Sequence, residues 1–164
     1  MGVVGYAVQR ELTSPKPGVR AATTATGPAV RALTGEEEGY AAMLWPIHSE
    51  IKLAAVEMSF AGIAYKMGDE DADRLAARLA PLVESLDAAM KRARALQVPG
   101  SMAGLHERYV AALGLYEQAA AEMISATRDG KDEHLVAGQR MSLHATEEML
   151  RVGNVLWPGE YKPH

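Results

Sequence analysis

Cysteine is absent from the 164 residues, phenylalanine occurs once, and aromatic residues make up only 5%. Without cysteine there are no disulfides, thiolate zinc sites, cysteine nucleophiles or covalently attached c-type haem, and the redox compartment stays open. Any metal would need His, carboxylate or Met ligands. Long apolar runs are lacking too: nothing approaches the roughly 18 residues of a membrane span. There is no GxGxxG, no P-loop and no nucleophile elbow, and Ser, His and acidic residues show no triad-like local arrangement. An enzyme is therefore not expected.

What is present suits one soluble globular domain. Apolar residues are 48% and charged residues 23%, and a chain of about 150 residues buries roughly 70% of its unfolded surface. The net charge of −4 is unevenly shared: residues 1–33 hold Arg10, Lys16, Arg20 and Arg31 against Glu11, giving +3, and the remainder holds −7. An acidic whole argues against nucleic acid as the main ligand. The arm 1–33, with SPKPG and AATTATGP, has a composition that does not fold alone, so order in it would require another surface. Its opening MGVVGYAVQREL has no basic n-region or cleavage site, and Tyr6 does not fit a myristoylation signal. The stump of a removed anchor is the alternative reading of that patch.

From Thr34 onward the pattern is helical. TGEE at Thr34–Glu37 is a capping-box signature. Helix A runs from there to about Met67, with Gly68 as a left-handed stop and Asp69 capping helix B. Helix B ends near Gln97; Ser101 is expected to cap helix C, which runs to Arg128, and DGKD leads into helix D, closed by Trp157, Pro158 and Gly159. The expected core stripes are Leu44, Ile47, Ile51, Ala55, Met58 and Gly62 in A, and Leu75, Leu79, Leu82, Leu86, Met90 and Ala93 in B. They continue as Leu105, Tyr109, Leu113, Tyr116, Ala120 and Met123 in C, and Leu135, Leu143, Leu150 and Trp157 in D. Short loops force sequential antiparallel neighbours. The expected fold is all-α, an up-down-up-down four-helix bundle over 34–158 with an extended N-terminal arm and a tail at 159–164. Pro46 and Pro81 lie inside helices, where proline costs about 3 kcal/mol, but both point away from their stripes.

The tripeptide LWP occurs twice and holds both tryptophans, Trp45 and Trp157. At about 1.5 Å per residue they sit at one end of the bundle, within roughly a turn. Trp157 falls on its core stripe and Trp45 points outward, either over the arm or toward a partner.

Chemistry-bearing residues are few. His144 with Glu147 or Glu148 has metal-compatible spacing, but a solvated charged face with Arg140 is the better reading. Glu57, Glu84, Glu117 and His144 share a level, yet Glu-x-x-His occurs nowhere, which argues against a carboxylate-bridged di-iron centre. His48 and His106 flank their stripes near the level of Met90, so haem b or a divalent metal held by His48, His106 and Met90 is the alternative function, for electron transfer or storage. Gln139, Ser142 and Thr146 lie on the core side of helix D and imply self-bonded hydroxyls, an interhelical network or a wet pocket. The expected function is a non-enzymatic accessory or structural subunit. It would act through protein contacts in a homo-oligomer or larger assembly, with Trp45, Arg10, Lys16 and Arg20 as partner-binding residues.

Overall fold

Thr34 has extended backbone and its hydroxyl accepts from the Glu37 N–H at 3.4 Å, while the Glu37 carboxylate accepts from the Thr34 N–H at 2.8 Å. That reciprocal cap starts α1, Gly35–Met67, as the TGEE signature predicts. In this computed structural model residues 31–159 are described. The arm up to residue 30, with Arg10, Lys16 and Arg20, and the tail from Glu160 lie outside the described residues, as do the expectations placed on them. The helices α2, α3 and α4 span Ala72–Arg94, Ala103–Asp129 and Asp132–Leu156, with a 3-10 turn at Gly100–Met102 before α3. Gly68 and Gly130 end α1 and α3 at φ of 81° and 70°, left-handed conformations that glycine adopts without strain.

Two caps differ from expectation. Asp71, not Asp69, caps α2 by accepting from the Arg74 N–H at 2.9 Å. Ser101 caps nothing: α3 has Met102 at its N-cap position and no side-chain cap, and the Ser101 hydroxyl donates instead to Glu37 Oε1 at 2.7 Å. Arg31 donates to both Glu37 oxygens at 2.7 and 2.5 Å. Glu37 is thus a buried carboxylate that joins the start of α1 to the turn before α3. These bonds hold it well below the usual carboxylate range, with Arg31 the largest cause.

The four helices form an up-down-up-down bundle, each packed on the next in sequence. All six expected core residues of α2 are buried, as are Leu44, Ile47, Ile51 and Met58 of α1. In α1 the register is closed by Ala54 and Ala61 rather than the half-buried Ala55 and Gly62. Pro46 and Pro81 are exposed, so neither proline intrudes on the core.

Helix α4 corrects the expected stripe. Leu143 is 58% exposed and Leu150 also faces water, while Gly138, Ala145, Met149, Val152, Gly153 and Leu156 form the buried face. Small residues win because they let α3 and α4 come together closely: a Cβ built on Gly138 would stand 2.9 Å from the Ala119 carbonyl oxygen. The α3–α4 seam is the most extensive in the bundle, and the α1–α4 seam is the least closed of the four around its circumference.

Candidate functional site

The loose α1–α4 seam opens into a trough of about 350 Å³. Met58 and Met123 lie along its base, Gly62 and Gly138 widen it, and Ile63, Val136 and Leu143 stand at its lips. Gln139, Ser142 and Thr146 line one wall, and Gln139 and Thr146 are exposed there rather than core-facing as expected. Thr146 also donates to the Ser142 carbonyl at 2.9 Å and meets the Tyr116 hydroxyl at 2.8 Å, combining the self-bonded and interhelical alternatives. Lys66 and Asp132 close an ion pair between α1 and α4 at the far end of the trough.

Beside the trough, α1 is apolar on a second face. Leu53, Val56, Phe60, Ile63 and Met67 recur at three- and four-residue spacing and are all exposed, Phe60 to 62%. At 100° per residue they lie nearly opposite the buried stripe of Leu44, Ile51 and Met58. Among the described residues, ten large hydrophobic side chains are exposed, and every one lies on α1 or α4. Helices α2 and α3 contribute none, which makes the apolar surface one-sided. A helix that is apolar on both faces is ordinarily covered on both.

At the other end of the bundle the two tryptophans meet. Trp45 stands edge-on to Trp157 with ring centroids 5.0 Å apart, and Trp157 in turn lies 4.7 Å from the His48 ring. Trp45 is half-buried, so much of the surface expected to face outward covers Trp157. Lys52 places its ammonium 5.9 Å from the Trp45 ring centroid. His48 is 1% exposed, between Trp157 and Tyr109. Burial, with Lys52 adding to it, pushes its imidazole down to about 4.

That depression fixes a pH dependence. Between pH 6.5 and about 4 the unfolded chain takes up a proton at His48 that the folded chain refuses, so stability falls as pH falls through this window. His48→Gln is expected to flatten the dependence there, as read by urea unfolding at a series of pH values. A slope unchanged by the substitution would exclude His48 as its source. Glu37 acts at lower pH: its depressed carboxyl stabilises the fold above the ordinary glutamate range and that stabilisation is lost on further acidification.

The proposed haem or metal residues have separate surroundings. Met90 and His106 line one shallow groove between α2 and α3, and His48 is not part of it. The Tyr40 hydroxyl and His106 Nδ1 are 2.9 Å apart in a hydrogen bond, and burial lowers the His106 pKa. His144 is exposed, while Glu148 is half-buried and pairs with Arg108 at 3.3 Å and with Arg151. Among the described residues no group of three or more His, Asp or Glu side chains is placed to hold a metal ion, and no helix is long and apolar enough to cross a membrane. Sequence reasoning missed Phe60 and its neighbours. Their signal was a second series at helical spacing in a helix whose core stripe was already accounted for.

No protein-family model, curated protein or solved structure matches the chain.

Proposed function

We propose that the protein is a helical module that works through protein contacts, with the α1–α4 side of the bundle as its docking face. The observation that carries this reading is the confinement of all ten exposed large hydrophobics among the described residues to α1 and α4. Three of them, Ile63, Val136 and Leu143, line the trough, and Leu53, Val56, Phe60, Met67 and Leu150 continue the exposed faces of α1 and α4 beside them. From their fractional exposures they present on the order of 800 Å² of apolar surface, above the roughly 300–600 Å² of the largest patch on a typical monomer. Water contact over that area is unfavourable by about 25 cal/mol per Å², and only a covering surface relieves it.

Native mass spectrometry of the protein purified from its own source tests the reading. The expected result is a complex, with the same or a different chain, that Leu53→Lys combined with Ile63→Lys disrupts. A monomer with no associated chain contradicts it.

A further inference from the structure

We infer that the partner on this face is a second copy of the same chain, seated so that Phe60 of each copy lodges in the α1–α4 trough of the other. The inference rests on the protein-contact reading above and identifies its partner.

Three observations favour self-docking. The first is shape: the face carries a ridge and a hollow at the same height. Phe60 lies at the centre of the exposed stripe, and Ser59, Gly62 and Ile63, which adjoin it in α1, line the trough together with Leu135, Gly138 and Gln139 of α4. A two-fold axis parallel to the helices sets each α1 ridge against the other copy's trough at an unchanged level, which is the reciprocal contact of an isologous interface. Ridges into grooves is also how helices ordinarily pack.

The second is charge. Lys66 and Asp132 at the end of the trough already neutralise one another, and Lys52 and Glu57 border the stripe with opposite signs. A face balanced in this way carries no net charge to repel its own copy and offers nothing that selects a strongly charged partner. The third is area: on the order of 800 Å² of apolar surface per copy is what each partner contributes to a stable interface of standard size.

The hollow has room for the ridge. A trough of about 350 Å³ admits a phenyl ring, and it is floored by Met58 and Met123, whose unbranched side chains adapt to an inserted aromatic. Phe60 is the only phenylalanine in the chain.

Light scattering and native mass spectrometry of the full chain are expected to show a dimer. Phe60→Asp, at an exposed position, is expected to keep the wild-type circular dichroism and to lose only the concentration-dependent part of the unfolding midpoint, while weakening dimerisation at least about a hundredfold, because the dimer would have to bury a carboxylate in an apolar hollow. Gln139→Trp, which fills the trough from its exposed wall, is expected to do the same. A dimer that survives Gln139→Trp overturns the trough as the seat of Phe60.

The absence of cysteine makes the arrangement testable by cross-linking. In the parallel arrangement, Ile63→Cys alone forms a disulfide-linked dimer under mild oxidation. Linkage only when Val56→Cys and Ile63→Cys chains are mixed would mean antiparallel helices and overturn the axis proposed. A wild-type chain that is monomeric by itself, yet part of a larger complex when purified from its source, overturns self-docking and leaves the protein-contact reading standing. A monomer in both preparations overturns both.

Discussion

Gly138→Val is expected to destabilise the fold by about 3 kcal/mol, the upper part of the range for overpacking. The added Cβ would stand 2.9 Å from the Ala119 carbonyl oxygen and 3.1 Å from Met123 Cγ, and a backbone oxygen in mid-helix cannot move aside. Helices α3 and α4 would have to separate along the most extensive seam of the bundle. Gly62→Ala is the informative contrast. Its Cβ would also meet an atom at 2.9 Å, but that atom is Met123 Cε, the free end of a flexible side chain. Methionine can rotate away, and the gain of about 1 kcal/mol in helix propensity from glycine to alanine then dominates. Urea unfolding of both variants should place them on opposite sides of the wild type; equal destabilisation would show that the α1–α4 side is as tightly packed as the α3–α4 side.

Trp157→Ala is expected to cost about 3 kcal/mol, the lower part of the range for removing a buried or half-buried aromatic. The loss is not only area. Trp157 is the ring that Trp45 packs against edge-on and that covers His48 at 4.7 Å. Its removal admits water to the imidazole, so the His48 pKa should rise from about 4 toward the ordinary histidine value, followed by its ring proton shifts across a pH titration. The variant is accordingly expected to lose much of the pH dependence of stability between pH 6.5 and 4. A less stable variant whose His48 still titrates near 4 would mean that Tyr109 and the surrounding helices, not Trp157, keep the ring dry.

Much of the fold was legible in local signals with a single physical reading. The Thr34–Glu37 capping box, the left-handed glycine at 68 and the regular leucines of α2 each admit one structure. The α4 helix did not, because two rules conflict there: large leucines suggest the core, yet Gly138, Ala145 and Gly153 are what allow another helix to come close. Close approach prevailed and turned Leu143 and Leu150 outward. Ser101 shows the same limit at a helix start. Its hydroxyl can cap α3 or reach a carboxylate 64 residues away, and only the fold brings Glu37 within reach.

The site was harder to read for a related reason. Histidines and tryptophans attract notice because their chemistry is distinctive, and the structure puts His48, Trp45 and Trp157 into one packed end of the bundle. Leu53, Val56, Phe60, Ile63 and Met67 resemble ordinary core residues until the helix is seen to have its core on the opposite face. Whether an apolar series faces inward depends on where the other helices stand, which is a tertiary fact.

Hydroxyl-radical footprinting of the full chain, as purified from its own source, tests most directly whether this face is covered. Phe60, Met67 and Leu143 are 62%, 73% and 58% exposed in the single chain. In the working protein they are expected to be labelled far less than these exposures imply, and Phe60→Asp should restore labelling at Met67 and Leu143. Labelling of all three in proportion to their exposure in the single chain would contradict the account.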